Sequence, residues 1–469
     1  MEPAATRPRI HDDHVTGPVA AFAAVVPLLR GARSLLTSPA TYAALTVLLV
    51  CVPTDTENVS ASVHVTPADL GSAALVGAAA ARLLAGARLP RSPLWIAMAA
   101  ATLGFGLATV ASQDPPNSLS GFVRYAQLFA LVPVAVVLAL RQRRDIWLVC
   151  GAVVGAAIIE GAVGAVQYLS GTGASYRGEH VRAVGTFGAL DIMGMSTVVA
   201  YGLVVAFGLA IALRGRTRLG LLAIAASLVA PLLLALSRGA VVAALCAVAA
   251  MLIAVSPRLA LRSAVFGGAA ALVLIGLLGG AGNAVTSRLG TIGSSVTAPD
   301  RSVGDRYDLW RTAAGIWSDH PVTGVGLKEF PAYRDSYAPV RLSSGSDVDD
   351  PTLGFQREPL LSPHNMYLLV LSEQGLVGEV ALGGLLVGIA VATVRRTREV
   401  RGAAGPPDGR VGDGRLVSVA AVGSITWTLV SFLYSDIGGQ STVLMSVLLG
   451  VSMWWAVRPR PMADAGGAR

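Results

Sequence analysis

Residues 376–394, LVGEVALGGLLVGIAVATV, form an apolar run that contains a single ionisable side chain, Glu379. The run is close to the ~20 residues that an α-helix needs to cross the hydrocarbon of a bilayer. Directly before it, residues 362–368 read SPHNMYL and end the long polar insertion over 281–363. A membrane span and the end of a polar loop therefore stand side by side, which predicts a polytopic membrane protein with one large loop outside the bilayer.

The composition of the whole chain also indicates a membrane protein. Hydrophobic residues make up 54% and charged residues 14%, and the mean hydropathy is +0.63, which is not a soluble globular composition. We therefore predict an all-α polytopic membrane protein with about 12 transmembrane helices and a large extracytoplasmic helical loop. The twelve apolar runs lie at residues 38–53, 69–86, 93–111, 122–140, 146–168, 190–213, 219–236, 239–256, 262–280, 376–394, 416–434 and 441–457.

The placement of arginine predicts the orientation in the membrane. The short loops at 54–68, 112–120 and 435–440 contain no Lys or Arg, whereas the connections on the other side carry many arginines. Such a bias marks the cytoplasmic side, so both termini are predicted to be cytoplasmic. The net charge of +8 then reflects topology and gives no reason to expect a nucleic acid partner. The predicted divisions are a cytoplasmic segment at 1–37, transmembrane helices 1–9 at 38–280, an extracytoplasmic loop at 281–375, transmembrane helices 10–12 at 376–457 and a cytoplasmic tail at 458–469.

The long loop has helical periodicity of its own. A helix is expected over 305–318 because four apolar residues recur at helical spacing, with Arg306 and Arg311 off their stripe. His320, followed by a proline, ends this helix, and a second short helix is expected at 330–337. The four residues of the predicted apolar stripe are Tyr307, Trp310, Ala314 and Trp317.

Ionisable residues within the predicted spans mark function, because charge in hydrocarbon is costly. All of them lie in the outer half of the membrane under the predicted topology, and no matching set lies in the inner half. A transporter needs polar groups near the midplane with access from both faces. The arrangement instead favours a cavity that opens outward. The residues concerned are Arg124, Glu160, Asp191, Arg238 and Glu379.

Arginines at the outer face are the candidates for ligand binding. Arg238 stands in a tight turn between two predicted spans, and Arg182 precedes a span on the same side. Arg306 and Arg311 add cationic charge from the loop helix. A guanidinium stays charged and binds phosphate through two hydrogen bonds, so these residues predict a site for an anionic, lipid-linked ligand. The alternative is that they only anchor helix ends to lipid headgroups.

His364 is the candidate general base, because histidine can take up a proton near neutral pH. The alternative is a helix-capping or interfacial histidine. We expect residues 364–373 to form a helix at the outer surface that breaks near Gly375. Tyr367 would then share the face of His364, whereas Glu373 would lie on the opposite face and support the break.

Other chemistry finds little support in the sequence. Asp347, Asp349 and Asp350 form an acidic cluster without further ligand spacing, which favours a solvated loop, and residues 343–352 are predicted to be a mobile polar tip. Gly324-Val325-Gly326 lacks the third glycine of a nucleotide-binding fingerprint. No Walker, zinc or haem signature is present, so we expect neither a metal nor a cofactor.

Several motifs taken together resemble the O-antigen ligase/polymerase superfamily. In order, they are Arg-x3-Trp at 306–310, Pro-x-x-Gly-x-Gly at 321–326, His-Asn-x-Tyr-Leu at 364–368 and Glu-x-Gly-x-x-Gly at 373–378. Two upstream elements also match, Arg-x-x-Gly-Thr-Phe at 182–187 and Ser-Arg-Gly at 237–239. The residues after Thr-Phe, at 188–191, depart from the Asn-rich stretch of the family.

The resemblance implies a metal-independent, inverting membrane glycosyltransferase with a GT-C-like fold. It would act at the outer face of the cytoplasmic membrane on a polyprenyl-pyrophosphate-linked glycan donor and a glycan or glycolipid acceptor. Arginines would hold the pyrophosphate and His364 would activate the acceptor hydroxyl. A repeat-unit polymerase, a protein O-oligosaccharyltransferase and a non-enzymatic transporter stay open as alternatives. The expected supporting residues are Asn365, Tyr367, Glu373, Glu160 and Asp191.

Overall fold

The computed structural model of the chain describes residues 38–53, 65–176, 181–188, 191–264, 301–344, 346–350, 354–358, 360–402 and 413–458. Within these ranges the chain is almost entirely helical, with one small sheet. The first eight helices are α1 Pro39–Leu49, α2 Pro67–Leu84, α3 Leu94–Ala111, α4 Pro115–Ala139, α5 Arg143–Ser170, α6 Ile192–Ala212, α7 Gly215–Leu234 and α8 Arg238–Val255. The later helices are α9 Arg301–Asp319, α10 Phe330–Tyr337, α11 Met366–Gly402, α12 Asp413–Ser431 and α13 Ser441–Val457.

Seven of the described helices, α3 to α8 and α11, are long and apolar enough to cross a membrane. Three shorter apolar helices are α1, residues 417–431 of α12, and α13. Helix α2 has 18 residues and coincides with a predicted span, but it carries both Asp69 and Arg82. The predicted span at 262–280 lies mostly outside the described residues. The chain is therefore a multi-pass membrane protein, and the count of twelve spans is not confirmed.

Small residues let the helices approach closely, which is how apolar helices gain packing contacts inside a membrane. Helices α6 and α12 meet where a Cβ on Gly208 would lie only 2.7 Å from Ala420. Helices α3 and α11 meet at Gly104, whose nearest neighbour is Ala381. These contacts build one large apolar core, in which almost every residue of α13 is buried.

The long loop has a second, smaller core. Leu309, Ala313 and Ile316 of α9 are fully buried and pack with residues of α10 and α11. The predicted helix is therefore present, but the predicted apolar stripe is not the face that is buried. The buried residues lie one or two positions along the chain from the residues of the predicted stripe. Tyr307 is 46% exposed and Trp310 is half-buried, so the aromatic side chains flank the core.

A three-stranded antiparallel sheet joins two of the loops on the same side. Its strands are β1 Ser175–Tyr176, β2 Ser346–Asp350 and β3 Gly354–Glu358, in the order β1-β2-β3. The register pairs Tyr176 with Val348, and Ser346 with Glu358. The acidic cluster at 347–350 is part of β2 and not of an irregular polar tip. Apart from this small sheet the described chain is helical, as predicted. The sheet ties the connection between α5 and α6 to the long loop.

Candidate active site

His364 lies in a constrained loop that leads into α11. Its φ is 48°, and that of Leu360 is 51°, a left-handed conformation that costs non-glycine residues on the order of 1 kcal/mol or more. The loop is held by hydrogen bonds on both sides of the histidine. Trp310 Nε1 donates to the carbonyl of Pro363 at 3.0 Å, and the His364 N–H donates to Ser362 Oγ at 3.2 Å. Such a backbone is retained only where its surroundings dictate it.

The turn between α12 and α13, residues 432–440, holds the loop of His364 from the other side. The hydroxyl of Ser362 donates to the carboxylate of Asp436. The N–H of Met366, the first residue of α11, donates to the carbonyl of Phe432 at 2.8 Å. Ser362 thus links Asp436 to the backbone of His364. Asp436 is not among the residues predicted from the sequence, although it stands in a polar turn between two apolar helices, which was a usable signal.

Asn365 and Tyr367 have positions different from those predicted. Helix α11 begins at Met366, so His364 precedes the helix and shares no helical face with Tyr367. Asn365 caps the helix, because its Oδ1 accepts the N–H of Leu368 at 3.1 Å. The Tyr367 hydroxyl donates to the carbonyl of Leu429 at 2.7 Å. Tyr367 therefore fixes the start of α11 to α12, and Asn365 Nδ2 fixes it to the 432–440 turn by donating to the carbonyl of Leu433 at 3.3 Å. The prediction that Tyr367 lies beside His364 on one helix face is wrong.

The break in α11 was predicted, and the structure gives its cause. Residues 321–326 lie along residues 372–377, where Gly375 has φ 62° and ψ −163°. A Cβ on Gly375 would lie 2.3 Å from the carbonyl oxygen of Val322, and one on Gly324 would lie 2.3 Å from Glu373. The four backbone hydrogen bonds between the two segments are Val325 to Ser372, Gly326 to Glu373, Leu376 to Pro321 and Val377 to Val322.

Glu373 reinforces this junction from inside. Its side chain is buried, with 3% exposure, and its Oε1 accepts the N–H of Phe330 at 3.2 Å. Its neighbour across the loop, Glu329, accepts a hydrogen bond from Asn117 Nδ2 at 2.9 Å. Burial raises the pKa of Glu329 above its ordinary value, although the bond from Asn117 opposes the shift. Glu373 therefore contacts the backbone of the long loop, in the region where support was predicted.

Arg182 lies in a loop that is bound to the end of α5. Its backbone pairs with Ala174, the N–H of Arg182 donating to the carbonyl at 2.7 Å. Glu160, which is fully buried, accepts the hydroxyl of Thr186 at 2.6 Å and its N–H at 3.0 Å. Gln167 Oε1 accepts the N–H of Gly185 at 2.8 Å. Glu160 thus fixes the loop that carries Arg182.

Arg238 is exposed at the first position of α8, directly after the turn from α7. Leu236 has φ 53°, which makes the turn tight, and Ser237 caps the helix through the N–H of Ala240. Gly239 packs against Tyr434, whose ring would lie 2.8 Å from an added Cβ. The hairpin formed by α7 and α8 therefore borders the 432–440 turn.

Asp191 reaches the same turn from α6. A Cβ on Gly439 would lie 2.5 Å from the Asp191 carboxylate. Arg124 approaches Gly439 from α4 and donates to its carbonyl at 2.8 Å, while its other nitrogen pairs with Asp69 at 2.5 Å. Arg124 therefore holds the turn to Asp69 through its two terminal nitrogens.

Arg306 and Arg311, the two arginines of α9 that were predicted to bind the ligand, differ in direction. Arg306 lies one helical turn before Trp310 and shares its face, which is the face that contacts the loop of His364. Arg311 is 83% exposed in its side chain and lies 3.8 Å from Asp308, which also pairs with Arg341. The structure thus favours Arg306 over Arg311 as a neighbour of His364.

The predicted residues fall at one end of the bundle. The His364 loop, the Arg238 hairpin and Asp191 all border the 432–440 turn, and the loop of Arg182 joins the hairpin through a hydrogen bond from Ala183 to the carbonyl of Leu234 at 3.2 Å. Over the described ranges, no three His, Cys, Asp or Glu side chains form a group that could hold a metal ion. A histidine and several guanidiniums at one end of the bundle are groups that suit transfer chemistry on an anionic ligand.

Part of the chain matches the model of a known protein family. Residues 223–383 match the model of the family described as O-antigen ligase, and no curated protein matches the chain. The matched segment contains Arg238, Arg306 and His364, whereas Arg182 and Glu160 lie upstream of it. The resemblance to the O-antigen ligase superfamily is confirmed on this segment.

Proposed function

We propose that this O-antigen ligase-type membrane protein transfers a glycan from a polyprenyl-pyrophosphate carrier to an acceptor hydroxyl. The family match supports a membrane enzyme of the ligase or polymerase type. The observation that carries the finer proposal is the constrained backbone of His364, fixed from α9 and from the 432–440 turn. A strained residue that its surroundings hold at one end of a membrane bundle is typical of a functional site.

In the proposed reaction, His364 is the general base. The acceptor hydroxyl gives its proton to the imidazole as its oxygen attacks the anomeric carbon of the donor sugar. The bond between that carbon and the pyrophosphate oxygen breaks with inversion, and the electron pair stays on the pyrophosphate. The products are the glycosylated acceptor and the polyprenyl pyrophosphate, and the imidazolium returns its proton to the leaving group or to water.

Arg182, Arg238 and Arg306 are the proposed pyrophosphate ligands, with Arg311 in a weaker role. Fixed guanidiniums stabilise charge that develops on a leaving group without having to reorganise. Arg238 at a helix start and Arg182 in the loop fixed by Glu160 support this assignment, because both are held on short, constrained backbone segments. The step needs no metal, because the guanidiniums supply the positive charge.

The proposal includes the twelve-span, GT-C-like bundle, with cytoplasmic termini and the active site outside the cytoplasmic membrane. Labelling of introduced cysteines checks the orientation in a background lacking the three native cysteines. A membrane-impermeant thiol reagent applied from outside is expected to label Ser344→Cys and to leave Asp408→Cys unlabelled. The reverse pattern contradicts the orientation and every argument about the side of the site.

A reconstituted assay tests the reaction class. Purified protein in proteoliposomes receives a lipid-linked oligosaccharide and a candidate acceptor, and released polyprenyl pyrophosphate and glycosylated acceptor are measured together. We expect the two products in equal amounts, with activity unchanged by a chelator. A rate that collapses with the chelator contradicts the metal-independent mechanism. Uptake of a small solute without release of polyprenyl pyrophosphate contradicts the enzyme and supports a transporter.

A further inference from the structure

A polar cavity lies at the end of the bundle opposite the candidate active site. Its volume is about 480 Å³, and it opens between the starts of α1 and α5 and the ends of α2 and α4. Helix α5 spans the distance between the two sites, because Asp145 lines the cavity and Gln167 holds the loop of Arg182. At 1.5 Å per residue, the two positions are roughly 33 Å apart, which is about the thickness of the hydrocarbon.

The cavity is lined by more positive than negative charge. Arg82, Arg141 and Arg144 contribute three guanidiniums, against the single carboxylate of Asp145. That carboxylate is already engaged, because it accepts the backbone N–H groups of Arg141 at 3.0 Å and Gln142 at 2.9 Å, which close the start of α5. Its second oxygen accepts the hydroxyl of Ser38 at 3.2 Å, and Arg144 lies 3.9 Å from it. An excess of cationic charge therefore lines the cavity.

The position of Arg82 is fixed by the fold. Its guanidinium donates to the carbonyl of Leu138, at the end of α4, at 2.8 Å. A guanidinium has five N–H donors, so this bond leaves others for a ligand. The guanidinium of Arg82 is therefore held in place before an anion binds, which reduces the entropy lost on binding.

Part of the remaining wall is apolar. Ala78, Ala81 and Ala139 line the cavity together with Pro39, and Leu84 beside them is 91% exposed. An apolar wall next to guanidiniums, at the membrane end of the helices, suits a ligand with a charged head and hydrocarbon tails. A small soluble anion would gain nothing from the alanine wall.

We propose that this cavity binds the phosphodiester headgroup of an anionic membrane lipid, with its acyl chains along the alanine-lined wall. The guanidiniums of Arg82, Arg141 and Arg144 bind the phosphate oxygens, in the bidentate geometry that arginine favours. The bound lipid joins α1, α2, α4 and α5 at the end remote from the transfer site. The inference does not rest on the proposed reaction.

The test measures lipid retention and uses no transfer assay. Full-length protein in nanodiscs of phosphatidylcholine, with or without phosphatidylglycerol, is released into detergent, and bound phosphatidylglycerol is counted by native mass spectrometry. The cavity variant is Arg141→Gln with Arg144→Gln, which leaves the backbone bonds to Asp145 in place. The matched control is Arg216→Gln with Arg218→Gln, two exposed arginines at the start of α7 on the same side of the bundle.

Wild type and control are expected to retain phosphatidylglycerol, and the cavity variant is expected to bind it at least about tenfold more weakly. Equal retention by the cavity variant and the control overturns the proposal. So does full displacement by inorganic phosphate or glycerol phosphate, since the ligand is then a soluble anion.

A second variant covers the case in which the double arginine variant does not fold. Ala81→Trp fills the apolar wall at an exposed position without removing a charge. It is expected to reduce retention of phosphatidylglycerol, and inorganic phosphate is expected not to displace the lipid that stays bound. Undiminished retention by a folded Ala81→Trp protein contradicts the placement of the acyl chains.

Discussion

His320 and His364 occur in the same large loop, yet their surroundings differ. His320 follows the last residue of α9, where its N–H donates to the carbonyl of Ile316 at 3.1 Å, and its ring lies edge-on to Tyr333 at 5.7 Å. His364 has a left-handed backbone in a loop fixed by Trp310 and by Ser362. One histidine ends a helix by ordinary means, and the other is forced into a costly conformation. Backbone constraint, more than residue type, therefore separates a candidate base from a structural residue.

The largest effect is expected where the turn after His320 meets α11. Gly375→Ala places a Cβ 2.3 Å from the carbonyl oxygen of Val322 at a φ of 62°, which should cost on the order of 3 kcal/mol or more. We expect loss of folded protein, measured by detergent size-exclusion profile and thermal midpoint. Gly383→Ala is the control, because no atom lies within 4 Å of its added Cβ. A normally folded Gly375→Ala protein would show that the two histidine regions are not coupled through this junction.

A smaller effect is expected at Arg238, which tests whether the site beside His364 binds pyrophosphate. Arg238→Lys keeps the charge but loses the planar fork, so donor turnover should fall about 10²-fold. Arg216→Lys, an exposed arginine at the start of another span, serves as the control and should retain wild-type turnover. If lysine is fully tolerated at 238, Arg238 only anchors the helix to lipid headgroups.

The smallest effect is expected at Asp436, which acts on His364 only through Ser362. Asp436→Asn keeps the shape but weakens the acceptor, so kcat should fall about tenfold. The KM for the donor and the thermal midpoint should stay unchanged, as expected of a positioning residue. Asp335→Asn, which alters an exposed carboxylate paired with Arg334, is the control. An unchanged kcat would mean that the bond from Ser362 does not position His364.

Part of the difference between the regions of His320 and His364 could be predicted from the sequence. The end of α9 at His320 and the short helix at 330–337 follow from proline and from helical spacing, which act locally. The break at Gly375 follows from glycine in a run too long for one straight span. Local signals therefore gave the elements around both histidines.

The features that the sequence did not predict depend on contacts between segments that are distant in the chain. Helix α9 has two apolar faces, and the sequence offered no way to know that Leu309 and Ile316, and not the aromatic residues, would be buried. The pairing of β1 with β2 joins segments far apart in the chain, and no local pattern predicts it. The left-handed conformation of His364 arises from contacts with Trp310 and the 432–440 turn, so its constraint could not be read from residues 362–368 alone.

Turnover of a lipid-linked oligosaccharide by two glutamine variants tests the central claim most directly. His364→Gln and His320→Gln are compared in proteoliposomes at matched protein content, with binding of the lipid-linked donor measured in parallel. Glutamine can hydrogen-bond but cannot take up a proton near neutral pH, so His364→Gln should lose about 10²- to 10⁴-fold in rate while donor binding is retained. His320→Gln should keep about the wild-type rate. An active His364→Gln enzyme would contradict the account, and the base would then have to be sought at Glu160 or Asp191.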